Sequence, residues 1–71
     1  MKRFNPMIES RVRETRAKLR ISQYELAKLA GISQGTLSIV ELGYRKASPK
    51  VRAALSTTLG IPENELFPEQ V

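Results

Sequence analysis

The chain has 71 residues and a formal net charge of +5, with twelve Lys and Arg and neither Cys nor His. The missing residues exclude disulfides, thiolate zinc sites and His-based catalysis, and a chain this short buries only about 60% of its unfolded surface. Residues 1–52 hold all twelve basic side chains against four Glu, whereas residues 53–71 hold three Glu and no basic residue. Such asymmetry points to a polyanionic partner, although a merely solvated positive face has the same composition. The apolar residues come in short groups, so no membrane span is expected. The basic start MKRFNPMIES lacks the apolar stretch of a secretory signal, and a soluble, intracellular protein is expected.

In chain order, five helical segments are predicted and no strand. The first opens at Asn5-Pro6, a cap followed by Pro at the first helical position. Ile8, Val12, Thr15 and Leu19 then share one face, with Arg16 at its edge, and the segment stops near Arg20. Ser22 opens the second, with Glu25 at the capping-box spacing. Leu26, Ala27 and Ala30 form its inward stripe, Leu29 lies on the flank, and Gly31 ends it. Ser33 opens the third, which runs to about Leu42 and stops at Gly43. YRKAS is a loop, and Ser48-Pro49 repeats the cap-then-Pro signal. Val51, Ala54, Leu55, Thr58 and Leu59 face inward on the fourth helix, which Gly60 closes. PENELF forms a last short turn, with Leu66 and Phe67 positioned to cover the core. No repeat, low-complexity tract or linker interrupts this pattern, so residues 1–71 read as one compact all-α domain.

The third segment is unusual for so basic a chain: ISQGTLSIVEL carries a single charge. At about 100° per residue, Leu37, Val40 and Glu41 share one side, with Thr36 on its edge. Gln34, Gly35, Ser38, Ile39 and Leu42 share the other, which is uncharged and half apolar. Two short helices separated by GIS have the pattern of a helix-turn-helix.

The stretch LRISQYELAKLAGISQGTLSIVELGYRKAS resembles the helix-turn-helix of the Cro/cI-type (XRE) repressor family. The matching elements are Ser22-Gln23, Glu25-Leu26-Ala27, Gly31-Ile32-Ser33, Leu37, Val40-Glu41 and Gly43. The closing ALSTTLGIPENELF resembles the family's fourth and fifth helices. The resemblance covers roughly residues 8–67 and implies a five-helix, lambda-repressor-like DNA-binding fold. It also implies that the helix from about Ser33 to Leu42 enters the DNA major groove. Base edges are read there by amides, hydroxyls and small apolar groups, while charge belongs on the flanks beside phosphates. The flanks here are Lys2, Arg3, Arg11 and Arg13 on one side, and Arg45 and Lys46 on the other.

The base-reading positions implied by the resemblance are Gln34, Gly35, Ser38 and Ile39. A Gln amide donates to and accepts from adenine at once, and an exposed Ile suits a thymine methyl. Gly35 costs about 1 kcal/mol of helix stability relative to Ala. It is either a tolerated defect or room for close backbone approach, and it replaces the long polar residue of several relatives. Gln23, Thr36, Tyr44, Arg45, Lys46 and Arg11 match phosphate-contacting positions. Leu42 is expected to pack against the following loop. Arg16 and Glu41 match a structural ion pair that ties the first helix to the reading helix. Arg20 stands where relatives often have Gly and the backbone turns through positive φ.

The expected function is a sequence-specific, double-stranded-DNA-binding transcriptional regulator. A repressor is favoured, binding a pseudo-palindromic operator as a homodimer through the C-terminal segment around Leu66, Phe67 and Val71. A cytoplasmic or nucleoid-associated protein of a prokaryotic cell is implied, with no cofactor, metal or enzymatic activity. Alternatives are an antitoxin that also binds a toxin, a controller protein of a restriction system, and a protein–protein adaptor on the same fold. Toxin binding is not favoured, because only four residues follow Phe67 where such proteins often carry an extra tail.

Overall fold

The computed structural model describes residues 10–68 and Gln70. Among them are five helices and no strand: α1 (Val12–Lys18), α2 (Gln23–Ala30), α3 (Gln34–Leu42), α4 (Pro49–Leu59) and α5 (Glu63–Leu66). Asn5-Pro6, Ile8, Lys2, Arg3 and Val71 lie outside the described residues.

Three helix starts follow from local chemistry. Ser22 Oγ accepts from the Glu25 N–H at 3.0 Å, and the Ser22 N–H donates back to Glu25 Oε1 at 2.9 Å, which completes the capping box. Ser33 and Ser48 cap α3 and α4 with the first of these bonds alone, their Oγ atoms accepting from the N–H groups of Thr36 and Val51 at 3.0 and 3.2 Å. The ends of α2, α3 and α4 fall at Gly31, Gly43 and Gly60, all at positive φ.

The first helix ends differently. Arg20 takes the left-handed position at φ 58°, where L-residues are strained. The Ile21 N–H donates to Arg16 O at 3.2 Å and the Arg20 N–H to Ala17 O at 3.1 Å, the paired bonds of a Schellman end. This reversal brings Ile21, rather than Leu19, against the core. Leu19, expected on the inward face, is therefore 53% exposed. Replacing Arg20 with Gly should relieve about 1–2 kcal/mol of backbone strain, offset in part by the greater freedom of Gly in the unfolded chain. The expected outcome is a thermal midpoint a few degrees above wild type. A midpoint at or below it would contradict the strain.

The core is shared by all five helices: Val12, Leu26, Ala27, Leu37, Val40, Leu55, Leu66 and Phe67, joined by Ala47 from the α3–α4 loop. Leu66 and Phe67 are fully buried within the chain. The Arg11 N–H donates to Leu66 O at 2.8 Å, so the start of α1 is fastened to the end of α5. These two side chains are used up by the core of one copy, and the expectation that they form a dimer contact is corrected accordingly. Leu29, expected on the flank of α2, is 68% exposed.

Ala47, at the fourth position of the predicted YRKAS loop, is buried and held at both peptide groups. Its N–H donates to Gln70 Oε1 at 2.8 Å, and its carbonyl accepts from Arg52 at 2.8 Å. Arg52 also reaches Glu63 Oε1 of α5 at 3.3 Å. The loop is thus tied to the C-terminal segment.

Candidate nucleic-acid interface

The third helix is set by what lies beneath it. Leu37 and Val40 anchor it in the core, which leaves Gln34 and Gly35 exposed, Ser38 and Ile39 half-buried and Leu42 at its outer edge. Two clefts flank this face. One is lined by Arg13, Arg16, Gln23, Ser38, Glu41 and Leu42. The other is lined by Thr36, Ile39, Arg45, Lys46, Ser48 and Val51, among others. Leu42, 40% exposed, lines the cleft on the α1 side together with Arg13 and Arg16. Tyr44, Arg45, Lys46, Arg11 and Arg13 are all exposed. An uncharged ridge between cationic margins is the arrangement that suits base edges between two phosphate rows.

Beneath the ridge lies one ion pair. Arg16 Nε donates to Glu41 Oε2 at 2.9 Å and Nη2 to Oε1 at 3.1 Å, a two-pronged pairing. The third guanidinium nitrogen donates to the Ile21 carbonyl at 3.2 Å. The Glu41 side chain is only 3% exposed and that of Arg16 18%. The hydrogen bond to Glu41 raises the Arg16 pKa above its ordinary value, against the opposing effect of burial.

The pair does not end there. Gln23 Nε2 donates to Glu41 Oε1 at 3.1 Å, and Gln34 Nε2 donates to Gln23 Oε1 at 3.2 Å. The amide of Gln23, matched to a phosphate-contacting position, is thus engaged at both ends by the protein. Sequence reasoning placed Gln23, Gln34 and Glu41 separately and missed that they form one chain. The signal was faint: a Gln one residue after each of two N-cap serines, and a carboxylate with inward register. Thr36 is also engaged locally, since Ser33 Oγ donates to its Oγ1 at 2.8 Å.

Gly35 has no structural reason to be glycine. A Cβ built there meets only Ser33 Oγ, at 4.0 Å, and the backbone is helical. Among the described residues, no group of acidic side chains is placed to hold a metal ion, and no helix is long and apolar enough to cross a membrane.

Two helices joined through Gly31-Ile32-Ser33, the second presenting an uncharged face between basic margins, define a DNA-binding regulator of the helix-turn-helix class. The chain belongs to the XRE-type helix-turn-helix family, whose profile matches residues 12–66. Among solved structures it is similar to the restriction-modification controller protein C.AhdI from Aeromonas hydrophila. That likeness has 38% identity and a TM-score of 0.74, over 80% of this chain and 86% of the other. It is also similar to the clp gene regulator ClgR from C. glutamicum, at 29% identity and a TM-score of 0.71, over 83% and 77% of the two chains. No curated protein matches the sequence.

Proposed function

We propose that this regulator is a sequence-specific repressor that binds a pseudo-palindromic operator as a homodimer. The observation that carries the reading is the uncharged outer face of α3 set between Arg11 and Arg13 on one side and Arg45 and Lys46 on the other. In this reading Gln34 and Ser38 meet base edges, Ile39 meets a thymine methyl, and Gly35 lets the backbone come close. Thr36, Tyr44, Arg45, Lys46 and Arg11 hold phosphates and fix the register. One reading helix discriminates by only about 1–3 kcal/mol per good contact, so a second copy reads a second half-site about 34 Å away. The dimer contact falls on the exposed side of the C-terminal segment, around Asn64, Glu65 and Pro68, with Leu66 and Phe67 supporting it from beneath.

Selection from a random duplex library tests this reading. The expected product is a two-fold symmetric site saturated by two chains. No enrichment over the input library, or a final complex of one chain per site, would overturn it. The 38% identity to a restriction-modification controller supports a second reading, in which the same DNA binding controls a restriction system. A selected site lying upstream of endonuclease or methylase genes would favour it.

Gly35→Ala separates stability from recognition. Ala is worth up to about 1 kcal/mol in a helix interior relative to Gly, and nothing in the fold obstructs it. The variant should melt above wild type, yet bind its operator more weakly because the added methyl keeps the backbone off the DNA. Unchanged operator affinity would refute the close approach.

A further inference from the structure

We infer that α3 reads the C5-methyl group of a pyrimidine through Ile39, and so accepts 5-methylcytosine where it accepts thymine. The inference rests on the proposed reading of α3 as the base-reading helix. It starts from the way the outer face of that helix divides. Gly35, Ile39 and Leu42 stand four and three residues apart, so they form one row along α3. None of the three has a side chain that donates or accepts a hydrogen bond. Gln34 and Ser38 lie in a separate row beside it. Ile39 is half-buried and lines a cleft of about 180 Å³. Val40, Ala47 and Val51 supply the other apolar walls, and the exposed Arg45 and Lys46 border it. A methyl group that enters beside Ile39 exchanges water for this apolar wall, while the neighbouring phosphate stays with Arg45 and Lys46.

The chemistry of that row decides which bases qualify. Thymine carries a methyl at C5 and an acceptor at O4, whereas cytosine carries a donor at N4 and no methyl. Methylation at C5 gives cytosine the thymine methyl and leaves N4 a donor. Ile39 feels the methyl and is blind to the exchange of O4 for N4. A polar side chain one turn away along the row would detect that exchange, and Gly35 and Leu42 offer none. The hydroxyls of the adjoining Thr36 and Ser38 do not restore the check, because a hydroxyl donates or accepts as its partner requires. Methylation of a cytosine at this pair would therefore strengthen the site.

The test uses the full chain and the duplex chosen by library selection. Each thymine of the selected site is first replaced with uracil, which lacks only the C5 methyl. At the pair that Ile39 reads, this should weaken binding about fourfold per half-site, the factor that burial of one methyl group supplies. The same pair is then built as C·G with and without the C5 methyl. 5-Methylcytosine should bind more tightly than cytosine by the same factor, about fourfold. Each comparison holds the partnering purine constant, so the ratio reports the methyl alone. Ile39→Ala, or Ile39→Gln should Ala prove unstable in a thermal melt, should reduce both ratios below about twofold. A loss on uracil with no gain on 5-methylcytosine would overturn the inference, since O4 would then be read as well. No loss at any uracil would overturn it too, because Ile39 would meet no methyl. Ratios that survive substitution of Ile39 would place the methyl contact elsewhere and overturn the assignment. Failure of the wild-type chain to select any site would instead count against the proposed function itself.

Discussion

Glu41→Ala is expected to lower the unfolding free energy by about 3 kcal/mol, the largest stability loss foreseen for a single polar residue here. The cause is what remains. Arg16 would keep its charge, stay mostly enclosed and retain only the Ile21 carbonyl as a partner. Arg16 is partly wet, which places the loss at the lower end of the range for broken buried pairs. Glu41→Gln should cost less, because an amide of the same shape still accepts one bond from the guanidinium. Urea unfolding of both variants checks this, and midpoints equal to wild type would show that the pair contributes nothing.

The largest effects on binding should divide by position. Gln34→Ala is expected to cost about 1–3 kcal/mol on the true operator and little on random DNA, with preference relaxed at one base pair per half-site. Arg45→Ala and Lys46→Ala should weaken binding to every duplex about equally, each reducing the salt slope by about one unit. Titrations at several salt concentrations, on operator and random duplexes, separate the two classes. If Gln34→Ala weakened both duplexes alike while Arg45→Ala changed sequence preference, the assignment of α3 to bases and of the loop to phosphates would be wrong.

How much of this was legible in the sequence depended on the range of the interaction. The caps at Ser22, Ser33 and Ser48 and the stops at Gly31, Gly43 and Gly60 are made within a few residues, so residue type at short spacing reveals them. The strained turn at Arg20 was legible only through the family resemblance, in which Gly often stands at that position. The inward register of Leu37, Val40 and Glu41 follows from helical period, and the pairing of Glu41 with Arg16 from two charges at inward margins plus the family resemblance. What period cannot tell is what an inward face packs against. Leu66 and Phe67 were rightly expected to cover the core, and for that reason were unavailable for the dimer contact also assigned to them. The Gln34–Gln23–Glu41 chain and the burial of Ala47 were hidden because each joins residues from different elements. Gln70 stands 23 residues from Ala47, and no spacing rule connects them.

The tethering of Ala47 by Gln70 and by Arg52 has a consequence for how variants will be interpreted. A loop fastened at both peptide groups meets its ligand already ordered, and backbone ordering, about 1–2 kcal/mol per residue, then falls on folding rather than on association. Loosening the tether moves that entropy back to the binding step. Substitutions at Gln70, Arg52 or Glu63 would therefore mimic lost DNA contacts, lowering affinity for all duplexes together, although Gln70 and Glu63 lie in the acidic segment of the chain. In a mutational scan such positions would be mistaken for part of the footprint. Their mark would be a weaker complex with an unchanged salt slope, since no counterion is released or retained by a residue that only keeps another in place.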